Sequence, residues 1–305
     1  MNNNNNNNNE NENFIILNEL NLNPIKMPML GIGTFKLNDI ENIIKVGLEN
    51  GYRRIDTASM YNNEERIGKV LNEMVTKNDG LDGKKIKRED LFITSKCSFM
   101  EQGYENALKA FESSLKKLQL DYLDCYLIHW PGVKGLDGSD SGNSIQRAQT
   151  WRALEKLYQD KKVRSIGVSN YTINHLTELL SSPNLQIKPA INQVEFHPLN
   201  FQKDLLEFCK NNKIILESYG SLAGGRLLNN ESVKEFAKKV GRTPSQLLLR
   251  YCLEHNCPVI PKTENVHRLI ENQMILDFTL SDDIVNSLDK LNKDQRFYMN
   301  PNSVI

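Results

Sequence analysis

Four ionisable residues lie at or just after the ends of short apolar runs. Asp56 ends YRRID and is soon followed by Tyr61, Lys96 ends LFITSK, and His129 ends LDCYLIH. A phenol is a poor proton donor at neutral pH unless a neighbouring cation favours its phenolate. Lys96 can be that cation, and Asp56 can keep the lysine charged in a low-dielectric pocket. Each residue alone also has a structural explanation, such as helix capping by Asp56 or extension of Lys96 into solvent.

Together, the four side chains could deliver a proton to a substrate oxygen. His129 can donate a hydrogen bond to that oxygen and orient it against Tyr61. The arrangement suits a carbonyl oxygen that becomes an alkoxide when hydride arrives at the carbon. No side chain supplies hydride, so this chemistry requires a nicotinamide cofactor.

From Phe14 onward, short apolar runs alternate with amphipathic stretches, which predicts alternating strands and helices. The eight strand-like runs are MLGIG, YRRIDT, LFITSK, LDCYLIH, VRSIGVS, PAINQVEF, KIILESY and PVIPKT. They predict an α/β fold, a closed (β/α)8 TIM barrel. An open doubly wound sheet is less favoured, because LGIGTFKLND supplies only two glycines of a phosphate-binding turn. The opening FIILNELNLNPIKMPML predicts a β-hairpin that could plug the barrel floor.

The carboxyl ends of barrel strands form the active-site mouth, so polar residues that close the predicted strands are candidates for function. These residues are Thr34, Asp56, Lys96, His129, Ser169, Asn170, Gln193, Tyr219 and Lys262. Independent helix capping would not select an acid, a base, an imidazole and a phenol at consecutive strand ends. We therefore expect one site at the mouth of the barrel.

The overall composition favours a small-molecule partner. Lys plus Arg and Asp plus Glu are both 38, so no net charge attracts nucleic acid or an anionic membrane surface. Five cysteines without paired short spacing indicate reduced thiols and a cytoplasmic protein. No apolar run approaches the ~20 residues of a membrane helix. We expect a monomer.

An asparagine tract opens the chain and has no apolar side chain to bury. We expect residues 1–13 to form a disordered tail without a role in the chemistry. Residues 14–305 are expected to form a single barrel domain, with C-terminal loops at the active-site mouth.

Three separated motifs resemble the aldo-keto reductase superfamily, of the aldose and aldehyde reductase type. They are GYRRIDTASMYNNEERIG, VRSIGVSNY and IPKTENVHRLIEN, and the likeness runs from about Phe14 to the end of the chain. The resemblance implies that Asp56, Tyr61, Lys96 and His129 form the family's catalytic tetrad. It also implies NADPH-dependent reduction of aldehydes and ketones to alcohols, with the proton supplied by Tyr61.

The same resemblance implies a set of cofactor contacts. Ser169, Asn170 and Gln193 would bind the nicotinamide carboxamide, and Tyr219 would stack on its ring. The further candidate contacts are Thr34, Ser221, Leu222, Lys262, Thr263, Arg268, Glu271 and Asn272. Lys262 and Arg268 can pair with the 2′-phosphate, so NADPH is expected rather than NADH.

The chain departs from the family pattern around the expected substrate pocket. Phe35 and the stretch Cys97, Ser98 and Phe99 stand where the family often has tryptophans, so the pocket is expected to be wider or less aromatic. Its predicted wall consists of Phe35, Met60, His129 and Trp130. The loop YGSLAGGRLL has Gly220 and Ser221 in place of the proline common there, which would loosen the loop.

Two other functions are compatible with the same fold. The chain could be a regulatory subunit that binds a nicotinamide cofactor while attached to a channel or another partner. It could also be a metal-dependent barrel hydrolase, but His197 and His129 lack the spacing of a metal site, so we expect no metal. Cys97 follows Lys96 directly, and we expect a buried thiol there.

Overall fold

Seven parallel strands run in chain order through one sheet, β3 to β9. The structure, a computed structural model, describes residues 13–17, 24–77 and 86–305. The strands of the sheet are β3 (Ile32–Gly33), β4 (Arg54–Asp56), β5 (Phe92–Cys97), β6 (Leu123–Ile128), β7 (Val163–Ser169), β8 (Ile191–Glu195) and β9 (Ile215–Tyr219). Every residue of β5 and of β6 is buried, as expected for parallel strands that are covered on both faces.

The eighth predicted strand, in PVIPKT, contributes only a single paired residue. Val259 forms parallel bridges with Leu30 on one side and with Ser218 on the other, which brings the two edges of the sheet together. Pro258 and Pro261 flank it and have no N–H to donate, so they take part only as acceptors, from Ser218 N–H at 2.8 Å and Gly33 N–H at 3.1 Å. The predicted barrel is confirmed, with its last strand shortened to this bridge.

Ten helices of the described residues accompany the sheet. They are α1 (Ile40–Glu49), α2 (Glu64–Lys77), α3 (Tyr104–Leu118), α4 (Gly142–Gln159), α5 (Ile173–Leu180), α6 (Lys203–Asn211), α7 (Glu231–Lys239), α8 (Pro244–Glu254), α9 (Val266–Gln273) and α10 (Asp282–Asp289). Helix α1 shows the common pattern, because its buried residues recur at helical spacing and form one apolar face. Gly47 on that face lets α1 approach β3 closely, since a Cβ there would lie 2.4 Å from Ile32 Cδ1.

The predicted N-terminal hairpin is present as two antiparallel strands, β1 (Phe14–Leu17) and β2 (Ile25–Pro28). Leu17, Ile25 and Met27 are buried in one apolar cluster with residues of the barrel strands, which are Phe92, Cys125, Leu127 and Ile191. The hairpin therefore closes the floor of the barrel. The predicted turn of the hairpin falls largely on residues 18–23, outside the described residues.

Residues 1–12 of the predicted tail also lie outside the described residues. Within the part of the chain that the structure describes, no helix combines the length and the apolar composition needed to cross a membrane.

The floor hairpin should contribute directly to stability. Met27→Ala removes a fully buried side chain, so we expect a loss of about 2–5 kcal/mol in the free energy of unfolding. Met274→Ala is the matched control, because Met274 is 48% exposed and its truncation should change little. Urea unfolding followed by circular dichroism measures both variants, and equal losses would contradict the role of the hairpin as a packed floor.

Candidate active site

The four predicted catalytic residues meet at the mouth of the barrel. Asp56 is the last residue of β4, Lys96 lies in β5, and His129 directly follows β6. Tyr61 ends a 3-10 turn, Ser59–Tyr61, that follows β4. The Tyr61 hydroxyl lies 3.4 Å from His129 Nε2, and Lys96 Nζ lies 5.2 Å from the centre of the Tyr61 ring.

Local hydrogen bonds fix the turn that carries Tyr61. Asn62 adopts a left-handed conformation with φ of 54°, which asparagine tolerates better than most residues, and this ends the turn. Asn63 then accepts a hydrogen bond from Thr57 Oγ1 and donates one to the Thr34 carbonyl oxygen, at 2.7 and 2.9 Å. Ser59 Oγ donates to the Lys96 carbonyl oxygen, so the turn is attached to the strand that supplies the lysine.

Lys96 and Asp56 form a buried ion pair. Lys96 Nζ donates to Asp56 Oδ1 at 2.5 Å and to the Thr57 carbonyl oxygen at 2.9 Å, and the lysine side chain is fully buried. Burial alone disfavours a charged lysine, but the charge and hydrogen bond of Asp56, with smaller contributions from Tyr61 and Glu217, outweigh it, so the pKa of Lys96 lies above its ordinary value. The Asp56 carboxylate therefore favours the charged form of Lys96.

Burial also controls the protonation of Tyr61 and His129. It raises the pKa of Tyr61, and although the charge of Lys96 opposes this effect, the pKa remains above its ordinary value. We expected Lys96 to favour the phenolate; its influence has that direction, but burial is the larger effect. For His129, burial and then the charge of Lys96 hold the pKa well below its ordinary range, so the imidazole is neutral. A protonated phenol thus faces a neutral imidazole.

The residues predicted to bind the nicotinamide carboxamide form one hydrogen-bonded group beside the tetrad. Tyr219 donates from its hydroxyl to Asn170 Oδ1 at 2.8 Å, and Asn170 Nδ2 donates to the His129 carbonyl oxygen and to Ser169 Oγ, each at 3.0 Å. Gln193 Nε2 donates to Asp56 Oδ2 at 2.7 Å. Its other donation is to Glu217 Oε1 at 3.0 Å, which leaves the Gln193 Oε1 atom to accept a bond from a ligand.

The remaining predicted cofactor residues divide into buried and exposed members. Thr34 Oγ1 donates to the Asp56 carbonyl oxygen, and Ser221 Oγ pairs with Ser218 Oγ. Leu222 is partly buried, Thr263 is buried, and Asn272 is buried in α9. Glu271 Oε1 accepts from Thr243 Oγ1 at 2.5 Å and thereby connects α9 to the start of α8.

Two exposed cations lie near the amino end of α9. Asn265 caps this helix by accepting a hydrogen bond from the Arg268 backbone N–H, and Lys262 precedes the cap. Lys262 Nζ lies 3.6 Å from Glu264, whose carboxylate is also bound by Asn38. A helix amino end with accessible cations on either side of its cap is suited to a phosphate group.

The predicted substrate wall borders Tyr61. Phe35 is 42% exposed, and its ring lies 5.0 Å from the Tyr61 ring, measured between centroids. Met60 and Trp130 are partly buried. Cys97 and Ser98 are fully buried and do not line an open surface, so Phe99 is the partly exposed residue of that stretch. Burial also raises the pKa of the Cys97 thiol, which agrees with the expected buried thiol.

The sequence predicted C-terminal loops at the mouth, but it did not indicate which contacts hold them there. Tyr298 packs edge-on against Tyr219 with 5.4 Å between ring centroids, and it also covers Gly220. Buried Glu195 holds this segment in place by accepting the backbone N–H groups of Phe297 and Tyr298 at 2.6 and 3.3 Å. A cleft of about 990 Å³ runs from Asn170 along this segment.

His197, considered above as a metal ligand, lies 3.0 Å from Glu195 Oε1, and both side chains are fully buried. In the described ranges, no group of three or more His, Cys, Asp or Glu side chains is arranged to hold a metal ion. His197 therefore supports the C-terminal anchor provided by Glu195.

Sequence reasoning also missed a second ion pair inside the barrel. Arg54 and Glu217 pair at 2.5 Å with both side chains fully buried. A signal was present in the sequence, because each is a charged residue within an otherwise strand-like run, YRRIDT or KIILESY.

Comparisons with known proteins agree with this geometry. A model of the Aldo/keto reductase family matches residues 29–293. Glyoxal reductase from Bacillus subtilis (strain 168) is 45% identical over 286 residues, which are 93% of this chain and 95% of that protein. Aldose reductase B from Dictyostelium discoideum is 36% identical over 289 residues, which cover 88% of this chain and 90% of that protein.

A solved structure shows the same architecture. It is MGS-M4, described as an aldo-keto reductase enzyme from a Medee basin deep-sea metagenome library. Its TM-score is 0.84 at 38% sequence identity, and the match covers 96% of this chain and 99% of that chain. The likeness therefore extends over the whole barrel.

The buried ion pair predicts a specific stability defect. Lys96→Met leaves Asp56 as an unpaired buried charge, so we expect a loss of about 3–5 kcal/mol in the free energy of unfolding. Lys156→Met is the control, because it breaks an ion pair of the same length whose side chains are 49% and 44% exposed, and it should cost less than about 1 kcal/mol. Equal losses in chemical denaturation would show that the buried pair carries no special weight.

Proposed function

The chain belongs to the aldo/keto reductase family of oxidoreductases, and we propose that it reduces aldehydes and ketones to alcohols with NADPH. The observation that carries this proposal is the Tyr61 hydroxyl, held 3.4 Å from His129 Nε2 above the buried Lys96–Asp56 pair. A substrate oxygen beside both groups would meet a proton donor and a hydrogen-bond donor together. We further propose that residues 14–305 carry this activity as one domain.

The residues present fit a nicotinamide cofactor at two ends. Ser169, Asn170 and Gln193 offer amide and hydroxyl groups beside the tetrad, and Tyr219 offers an aromatic face. Lys262 and Arg268 offer exposed positive charge near the capped end of α9. When bound, the cofactor supplies the hydride that no side chain can provide.

In the proposed mechanism, Tyr61 acts as general acid. Its O–H bond breaks as the proton moves to the carbonyl oxygen, while hydride adds to the carbonyl carbon, so the products are an alcohol and a Tyr61 phenolate. The charge of Lys96 stabilises that phenolate, and Asp56 keeps Lys96 charged. The phenolate then regains a proton from solvent.

His129 has a different task. Because its imidazole is neutral, it can donate one hydrogen bond to the substrate oxygen without competing as an acid. The relatives named glyoxal reductase and aldose reductase B support a carbonyl substrate for this pocket. Phe35, Met60 and Trp130 would contact the carbon skeleton of that substrate.

Tyr61→Phe should separate chemistry from cofactor binding. The variant removes the proton donor and keeps the ring, so kcat should fall at least about 10²–10⁴-fold while the Kd for NADPH changes little. Steady-state reduction of an aromatic aldehyde and a fluorescence titration with NADPH measure the two quantities. Tyr122→Phe is the control, because Tyr122 precedes β6 at the opposite end of the barrel.

Near-normal turnover by the Tyr61→Phe variant would overturn this mechanism. Absence of turnover by the unaltered protein across a broad panel of aldehydes and ketones, despite tight NADPH binding, would instead favour a cofactor-binding regulatory subunit.

The cofactor preference rests on Arg268. Arg268→Ala should weaken NADPH binding by about 1.5–3 kcal/mol and leave NADH binding nearly unchanged, because only NADPH carries the 2′-phosphate. Arg152→Ala removes an exposed arginine of α4 and serves as the control for lost surface charge. Equal weakening of both cofactors in parallel titrations would contradict the assignment of Arg268.

A further inference from the structure

A second pair of opposite charges lies inside the barrel beneath the tetrad. Arg54 precedes Asp56 by two residues in β4, and Glu217 precedes Tyr219 by two residues in β9. Because side chains alternate along a strand, each of these residues shares a face with the site residue above it. Arg54 also donates to the Pro28 carbonyl oxygen at 2.9 Å, so the pair reaches down to the floor hairpin.

One amide group connects this pair to the tetrad. Gln193 Nε2 donates to Glu217 Oε1 at 3.0 Å and to Asp56 Oδ2 at 2.7 Å. Asp56 Oδ1 in turn accepts from Lys96. The contacts form an unbroken path from Arg54 through Glu217, Gln193 and Asp56 to Lys96, in which positive and negative charges balance.

Stability alone is a weak explanation for such a pair. Buried ions lose their hydration, and well-packed apolar residues often replace a buried pair without loss of stability. The pair should influence the titration of neighbouring groups more than it influences stability, because the protein interior screens charges poorly. The titratable and charged groups that face Glu217 are Arg54 and Asp56 from β4, Lys96 from β5 and Cys125 from β6.

We propose that Arg54 and Glu217 are positioning residues for the carbonyl reduction proposed above, an inference that rests on that function. Through Gln193 they hold the Asp56 carboxylate toward Lys96. Their balanced charges set the pH at which Lys96 and Tyr61 lose their protons.

The sign of the effect follows from the charges. Burial raises the pKa of Glu217 and the Arg54 cation opposes that rise. Glu217→Gln removes the negative charge that Arg54 stabilises, keeps an oxygen that can accept from Gln193, and leaves the Arg54 cation uncompensated. Added net positive charge favours loss of protons from Lys96 and from Tyr61, so both groups should titrate at lower pH. Because reduction needs a protonated Tyr61, the alkaline decline of kcat/KM should move to lower pH by about one unit.

The test compares the Glu217→Gln variant with an Arg54→Met/Glu217→Gln double variant. Rates of aldehyde reduction with NADPH are measured from pH 6 to pH 11. We expect the single variant to show the alkaline shift and the double variant to return toward the unaltered profile, because it restores charge balance. A purely structural role would lower the melting temperature of both variants without moving either profile.

Asp124→Asn provides the matched control. Asp124 is also fully buried and pairs with Arg88 at 2.8 Å, but it lies near the amino end of β6, away from the mouth. This variant should lose stability and keep the pH profile. A shift of the same size in the control would overturn the proposal, because any weakened barrel would then produce it.

A second measurement does not depend on turnover. The side-chain signal of Lys96 in ¹³C-lysine-labelled protein, assigned with the Lys96→Met variant, reports its titration by NMR. We expect it to titrate at lower pH in the Glu217→Gln variant. An unchanged titration, or a lysine that stays charged through pH 11 in both proteins, overturns the inference. Absence of turnover in the unaltered protein would refute the proposed reduction separately, and the NMR result would still decide the electrostatic claim.

Discussion

A charged lysine without access to water is the constraint on which the site depends. Lys96 is fully buried, and removing a cation from water costs several kcal/mol unless it is paired and hydrogen-bonded. Asp56 and the Thr57 carbonyl oxygen meet that requirement, and both lie at the end of β4. The spacing between β4 and β5 is thereby set by an ionic contact as well as by the backbone ladder between them.

The same constraint explains why neighbouring groups hold different protonation states. The field of Lys96 acts on Tyr61 and on His129, and it helps to keep the imidazole neutral. One cation on β5 can therefore act on an acid that follows β4 and on a neutral donor that follows β6. A parallel barrel favours this arrangement, since the last residues of consecutive strands all lie at the same end of the barrel.

Much of this arrangement could be predicted from the sequence, because it depends on local pattern. Apolar runs located the strands, and the residue at the end of each run had to face the mouth, which brought Asp56, Lys96 and His129 together. Contacts across the barrel are different in kind. Nothing in local spacing indicates that Arg54 pairs with Glu217, because the two residues are far apart in the chain and their side chains meet only in the interior of the closed barrel.

The contacts of the C-terminal segment, in contrast to its position at the mouth, could not be predicted for another physical reason. Tyr298 is placed by the Glu195 carboxylate, which binds backbone N–H groups in a stretch without helical or strand periodicity. Hydrogen bonds of this kind leave no pattern in side-chain type. The shortened eighth strand differs, because its cause can be read from the sequence. Pro258 and Pro261 have no backbone N–H groups to donate to a neighbouring strand.

The single residue Val259 joins the two edges of the sheet, and we call this junction the seam of the barrel. The edges are joined by a few backbone bonds, among them Gly31 N–H to the Val259 carbonyl oxygen at 2.9 Å and Val259 N–H to the Met29 carbonyl oxygen at 2.8 Å. Segments with so few bonds open at lower free energy than the interior strands, so amide hydrogens along this line should exchange first among the barrel strands. The chain continues directly from this seam into Lys262 and Thr263, so a molecule bound there would help to hold the two edges of the sheet together.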